Sequence, residues 1–271
     1  MVTTLSRVIQ IQLYLFFSLV TFFFSSTLSA DSTTPTISIV IDDLGYRIKD
    51  DMRALNLPTE VAYAILPHGP HTERISVLAH QKGHELILHQ PMQAMEDNKY
   101  LGPGGLTLNM TRDEFIKTLN INIDKVPNII GVNNHMGSLL TRHPGHMQWL
   151  METLKNRGFL FIDSITSNES VAADVAKENN LPYLSRDVFL DHEQQYLYIK
   201  NQFMELIKTA KRKGSALGIG HPHPNTVSVL SKMLIDVEKH GVKLISVSEL
   251  LSKKYKRQNY AQRTDTTRAG M

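Results

Sequence analysis

Two adjacent carboxylates, Asp42 and Asp43, stand directly after the apolar, largely β-branched run Ile37-Ser38-Ile39-Val40-Ile41. Chemistry-bearing residues recur at the same place relative to six other short apolar runs. Pro67 and His68 follow residues 61–66, His89 follows Leu86-Ile87-Leu88, and Asn133, Asn134 and His135 follow residues 129–132. Asp163 and Ser164 follow residues 159–162, Asp191 and His192 follow Val188-Phe189-Leu190, and His221 and His223 follow residues 216–219. Side-by-side carboxylates among several histidines suit one task well. A carboxylate and two imidazoles bind a borderline cation such as zinc and leave a position for water, whose pKa the cation lowers. A second carboxylate beside that water takes its proton, and a histidine across the site stabilises an oxyanion or protonates a leaving group. The sequence has no G-x-S-x-G elbow and no glycine-rich phosphate loop to support a competing chemistry.

The elements that must position these residues alternate regularly. Apolar runs at 37–41, 61–66, 86–88, 129–132, 159–162, 188–190, 216–219 and 244–247 read as strands. Between them, helical spacing covers 47–55, 72–82, 115–123, 147–154, 171–179, 203–211 and 226–239. Thr111 and Glu114 form a capping box before the third of these helices, and Gly83, Gly158 and Gly214 are helix stops. Strands separated by helices pair in parallel, and about seven of them favour an α/β fold closed as a distorted (β/α) barrel. The C-terminal ends of barrel strands open on one face, where active sites are built. Seven strand ends therefore deliver His, Asp or Asn to a single rim.

Each residue also has a plainer reading. An Asp-Asp pair alone is as well read as a turn or helix cap, His221-Pro222-His223-Pro224 as a rigid loop, and Asn133-Asn134 as a turn. His84 is five residues before His89, but an extended strand rising about 3.3 Å per residue puts the two at opposite ends. That excludes His84 as a co-ligand. His71, His80, His143, His146 and His240 fall on or beside helices, where solvated or dipole-complementing roles suffice. Trp149 lies near an apolar helical stripe and reads as packing, whereas Tyr46, just past the Asp pair, is the better aromatic for a sugar ring.

The ends of the chain carry different information. Arg7 is the only charged residue before the apolar run 8–24, and small residues lead to Ala30, as in a secretory signal peptide over residues 1–30. Export to the periplasm is the expectation, with no membrane span after the signal is removed; the alternative is that the same apolar run stays as an uncleaved anchor. There is no cysteine, so neither a disulfide framework nor thiolate chemistry is available. The net charge of +3 is misleading as a guide to partners. The leader holds one of the 29 basic residues and residues 253–271 hold six against one acid, leaving 22 basic and 25 acidic residues in 31–252. The basic excess belongs to a polar tail, 253–271, expected to be disordered, and not to a nucleic-acid-binding face. Residues 31–252 are long enough for one barrel domain.

Ile39-Val40-Ile41-Asp42-Asp43-Leu44-Gly45 resembles the first motif of polysaccharide deacetylases, and more closely that of the divergent polysaccharide deacetylase family. The likeness continues in Gly83-His84-Glu85, His89-Gln90-Pro91-Met92, Gly131-Val132-Asn133-Asn134-His135-Met136-Gly137-Ser138, Phe161-Ile162-Asp163-Ser164 and Gly220-His221-Pro222-His223-Pro224. The resemblance implies a distorted β/α barrel, a divalent metal (usually zinc) and removal of acetyl groups from N-acetylated sugars. By position, Asp42 matches the general base, Asp43 the metal-binding aspartate, His89 a metal-binding histidine, and His221 the histidine that assists the leaving group. The usual second motif supplies two histidines a few residues apart. Here only His89 has suitable geometry, and His135 on the neighbouring strand end is the candidate third ligand. The arginine motif that orients the base in ordinary members has no clear counterpart. Asp163 completes the expected catalytic set, and His68, Tyr46, Asn134 and His223 are the expected substrate-binding residues. The expected substrate is a cell-envelope polysaccharide or peptidoglycan. The alternative is a non-catalytic envelope barrel that binds a glycan or a protein.

Overall fold

The structure is a computed structural model that describes residues 34–256. The expected leader at 1–30 and the residues beyond 256 lie outside it. Nine strands form one sheet: β1 (Thr36–Leu44), β2 (Ala62–Ile65), β3 (Leu86–Met92), β4 (Ile129–Met136), β5 (Leu160–Asp163), β6 (Tyr183–Ser185), β7 (Val188–Phe189), β8 (Ser215–Gly220) and β9 (Lys243–Leu244). Their order is β6-β5-β4-β3-β2-β1-β8-β7, every pairing is parallel, and β9 lies beside the start of β1. Among the described residues, seven helices flank the sheet: α1 (Ile48–Ala54), α2 (Thr72–Gln81), α3 (Arg112–Lys125), α4 (Pro144–Asn156), α5 (Ala172–Glu178), α6 (Tyr196–Lys213) and α7 (Pro224–Met233). An eighth helical stretch covers 247–256. The α/β barrel read from the sequence is the fold observed.

The barrel is curled but imperfectly closed. Among the described residues no ladder joins β6 to β7, and the chain itself crosses the seam. Arg186 N donates to Asp163 O on β5 at 2.9 Å, and the next residue, Asp187, donates through its backbone N to Leu217 O on β8 at 2.9 Å. Two apolar layers follow from strand alternation, since successive side chains point to opposite faces. Val40, Ala62, Ala64, Ile87, Leu160, Ile162, Leu217 and Ile219 fill the interior. Ile39, Ile41, Tyr63, Leu86, Leu88, Val132 and Phe161 face the helices. Gly131 is required for the inner packing, because a Cβ there would lie 2.6 Å from Leu160 O.

The elements differ from the sequence reading where tertiary contacts override local pattern. The expected strand at 188–190 is preceded by β6, three residues long and too short for a periodic signal. The helix expected at 203–211 begins at Tyr196 and ends at Gly214, whose φ of 84° suits glycine. The helix expected at 226–239 stops at Met233, followed by a 3₁₀ turn at Val237–His240. The last strand ends at Leu244, and a helix starts at 247. That helix overturns the expected order boundary at 253. Lys254 Nζ lies 3.7 Å from the Tyr183 ring centroid, and Tyr183 N donates to Tyr255 Oη at 3.2 Å. The capping box on α3 is present as expected, with Glu114 N donating to Thr111 Oγ1 and Thr111 N to Glu114 Oε2.

Candidate active site

The inner face of the barrel changes character toward the C-terminal ends of the strands. Val40 is followed two residues on by Asp42, Ile87 by His89, Ile162 by Ser164, and Ile219 by His221. On β4, Gly131, Asn133 and His135 continue the same row. The apolar plug is thus capped by a polar layer, built by the alternation that built the plug. Adjacent residues of a regular strand cannot both point inward, yet Asp42 and Asp43 both reach the site. A register shift between Ile41 and Leu44 and a φ of 63° at Asp43 allow it, since Asp tolerates the left-handed region. Ile41 and Leu44, on either side, both return to the helix-facing core.

Asp43 Oδ1 lies 3.0 Å from His135 Nδ1 and 3.2 Å from His89 Nε2, and those two nitrogens are 3.2 Å apart. Three donors around a zinc-sized ion at 2.0–2.1 Å would be spaced about 3.3 Å from one another in a tetrahedral shell. The observed triangle is close to one face of such a shell. The far side of each ring supports the same reading. His89 Nδ1 donates to Asn133 Oδ1 at 2.8 Å, and His135 Nε2 lies 3.4 Å from Tyr100 O. An oxygen acceptor on the far nitrogen leaves the near nitrogen with its lone pair aimed at the centre, the usual outer-shell arrangement of metal-ligating histidines. Asp43 Oδ1 is itself buried without a well-formed hydrogen bond. The chemistry of the three donors, the spacing and the orphaned oxygen all fit a divalent cation.

Asp42 sits beside this triangle, with Oδ2 3.8 Å from His89 Nε2 and Oδ1 accepting from Asn133 Nδ2 at 2.8 Å. One amide, that of Asn133, therefore ties the carboxylate to the imidazole of His89. The two aspartates are electrostatically distinct. Burial raises the Asp42 carboxyl above its ordinary range despite the neighbouring His89 and His221. Burial also acts on Asp43, but the imidazoles of His135 and His89 pull it well below the ordinary range. Asp43 is thereby kept as a permanent anion, and Asp42 as a carboxylate that accepts a proton more readily.

Sequence comparison places the chain. A model of the divergent polysaccharide deacetylases matches residues 39–251. The chain belongs to the divergent polysaccharide deacetylase family. It is similar to the uncharacterized protein YibQ of Escherichia coli K12, at 35% identity over 225 residues, covering 83% of this chain and 70% of YibQ. An uncharacterized protein of Haemophilus influenzae Rd is 36% identical over 214 residues, covering 79% of this chain and 76% of that protein. Among solved structures, ATU2773 from Agrobacterium tumefaciens C58 superposes with a TM-score of 0.78 at 26% identity, covering 82% of this chain and 91% of that one. A mutant of BA3943, described as a CE4 family pseudoenzyme with restored enzymatic activity, shares the fold at a TM-score of 0.50 and 14% identity, covering 80% of this chain and 68% of that one.

Across the site from Asp42 stands His221. His221 Nε2 lies 3.7 Å from Asp43 Oδ2, and its Nδ1 donates to Asp191 Oδ1 at 3.0 Å. Asp191 Oδ2 accepts from His221 N and Thr226 Oγ1, both at 2.7 Å, so the carboxylate is held from three directions. Burial opposes a charge on His221, but the bond to Asp191 and the nearby Asp43 hold the imidazolium up to about 9. The sequence reading marks Asp191 and Asn133 as strand-end residues without giving them a role in the site, and it does not single out Arg186. Arg186 comes from the seam of the barrel, where its guanidinium donates to Ser164 O at 2.6 Å and Ile165 O at 2.7 Å. It lines the same 420 Å³ cavity as Asp42, His89 and His221. That places an arginine near the base, although the sequence shows no recognisable arginine motif.

One expected site residue points elsewhere, and another lines the cavity with its amide committed to the fold. Asp163 shares its strand face with Phe161, on the helix side, and spends Oδ1 on Ile165 N and Oδ2 on Ser170 Oγ. It shapes the loop and does not approach the triangle. Asn134, one residue out of phase with Asn133, accepts from Ser164 N and donates to Met136 O. Its amide holds two strand ends together and has little left for a substrate. Ile165, held between Asp163 and Arg186, has a φ of 49°, a strained value for a β-branched residue, and forms part of the cavity wall. His68 and Tyr46 line a neighbouring groove, where His68 Nε2 is bonded to Asn122 Oδ1 at 2.9 Å. His223 stands 5.5 Å from His221, ring centroid to ring centroid. His84 is buried at the far end of β3, bonded to Val61 O at 3.0 Å and edge-on to Tyr63, in line with its exclusion as a ligand.

Proposed function

We propose that this protein is an exported, zinc-dependent hydrolase that removes acetyl groups from N-acetylated sugars of a cell-envelope polysaccharide or peptidoglycan. The observation that carries this reading is the triangle of Asp43 Oδ1, His89 Nε2 and His135 Nδ1 with Asp42 at its edge. Asp43, His89 and His135 hold the cation, which when bound supplies Lewis acidity toward the amide carbonyl and acidifies water. Asp42 takes the proton of the attacking water, its raised proton affinity matching that task. Water oxygen bonds to the acetyl carbon, the C–N bond breaks, and His221 gives its proton to the departing amine. Asp191 keeps His221 charged and oriented for that step. Export and a periplasmic location rest on the leader-like residues 1–30. Among the described residues, no helix is long and apolar enough to cross a membrane.

The test is cation content and acetate release from N-acetylated glycans by the purified chain. Asp42→Asn is expected to keep the cation and to lower acetate release by about 10²–10⁴-fold, the usual contribution of a general base. A zinc-loaded protein inert toward every N-acetylated glycan offered would favour the non-catalytic alternative.

A further inference from the structure

The geometry points to a second sugar subsite in the groove beyond His135, one that takes a residue carrying a carboxylate. This groove, about 480 Å³, shares Asp43 and His135 with the catalytic cavity, so both open off the same two ligands. Two exposed tyrosines line it. Tyr46 is 43% exposed and Tyr100, on the 3₁₀ turn Asn98–Tyr100, is 66% exposed. Large aromatic faces beside a reaction centre, with no part in the core, are what a sugar ring stacks on. The wall carrying Tyr100 is fixed in advance. Gly104 O accepts from Asn122 Nδ2 at 2.7 Å and from Gln90 Nε2 at 3.1 Å, and Tyr100 O faces His135.

Charge selects the occupant. Arg47 and Lys99 line the groove, and its one acid, Asp43, is turned to the imidazoles. The cations are not saturated. Asp50 serves both Arg47, at 2.9 Å, and Arg53, at 3.1 Å, while Lys99 meets exposed Asp97, at 3.4 Å, and lies 4.9 Å from the Tyr100 ring centroid. The Lys99–Asp97 pair is exposed on both sides and weak, and the exposed Arg47 guanidinium shares one buried carboxylate with Arg53, so both cations can turn to an added carboxylate. A neutral N-acetyl sugar at the catalytic centre and an acidic sugar beside it describe a glycan in which the two alternate.

The inference takes from the proposed activity only the identity of the occupant as a sugar, and binding tests it without turnover. Calorimetry on the zinc-loaded Asp42→Asn chain would compare N-acetylated chitotetraose with a hyaluronan tetrasaccharide, whose alternate sugars carry carboxylates. The acidic ligand is expected to bind about tenfold tighter, as one or two charge-assisted contacts would give. Arg47→Gln with Lys99→Gln should erase that preference and leave the neutral ligand's affinity within twofold. Tyr100→Ala should weaken both ligands alike. Equal affinity for the two sugars, failure of both to bind, or a preference untouched by the double substitution would overturn the subsite. Acetate release by the unsubstituted chain, measured in parallel, separates the two ideas. Release without the preference removes only the subsite, and preference without release removes only the hydrolase.

Discussion

The two faces of the barrel strands end on similar residues that do different work. On the inner face, Asp42, His89, Asn133, His135 and His221 converge, with ligand atoms as close as 3.0 Å and one buried oxygen left without a well-formed hydrogen bond. Asp163 on the outer face, and Asn134 at the edge of the cavity, have every polar atom committed to neighbouring backbone or hydroxyl groups. These two residues are satisfied by the fold. The inner cluster is incomplete without something the chain does not supply. A buried polar group lacking a partner costs about 1–3 kcal/mol, so an arrangement of this kind is kept where a ligand completes it.

The sharpest way to break this comparison is to substitute one aspartate on each face. Asp43→Ala is expected to abolish zinc binding and acetate release together, because it removes one of three ligands. Asp163→Ala should instead lower unfolding stability by about 1–3 kcal/mol, since Ile165 N and Ser170 Oγ lose their acceptor. It should leave a full equivalent of zinc. Metal analysis beside denaturant melts checks both. Loss of zinc in Asp163→Ala, with the fold intact, would erase the distinction between the faces.

Much of this was legible in the sequence, for reasons that also explain what was not. Parallel strands buried on both faces are apolar throughout, so their ends stand out where polar residues begin, and Asp42, His89, His135 and His221 were found that way. Reading strand ends alone, however, gathers both faces. Asp163 entered the expected site because it ends a strand, although its spacing of two from Phe161 gives it the outer face. The same rule would have promoted Asn133, two residues before His135, over Asn134. Arg186 left no trace at all. It lies in a two-residue crossing between β6 and β7, strands of three and two residues, where no periodicity can develop. Asp191 was marked as a strand end, but its role as partner of His221 needed the pairing of β7 with β8.

A smaller effect is expected from the amide that joins base and ligand. Asn133 accepts from His89 Nδ1 and donates to Asp42 Oδ1. Asn133→Ala keeps all three ligands but frees the His89 ring to turn and to change tautomer. Zinc affinity should fall about 10–100-fold, the usual consequence of losing an outer-shell partner, as read by competition with a chelator. An unchanged affinity would show that packing alone orients His89.

The last perturbation is Asp191→Asn, which keeps the size of the side chain, removes one charge and turns one of its two acceptor oxygens into a donor amide. Burial opposes the charge, but the bond to Asp191 and the nearby Asp43 push His221 up to about 9 when no cation is counted, above the usual value of about 6.5 for an unfolded chain. A raised folded value means that charged His221 stabilises the fold. That contribution is complete below about pH 6.5 and is lost as pH rises through about 9. Thermal stability of the zinc-free chain should therefore decline across that window, and Asp191→Asn should flatten part of the decline. Its His221 midpoint, followed by NMR of the imidazole ring protons, should move down toward the usual value, because burial then acts against the charge with less opposition. A midpoint that stays near 9 would assign the effect to Asp43 and Asp42, and Asp191 would be left with a purely geometric hold on the ring.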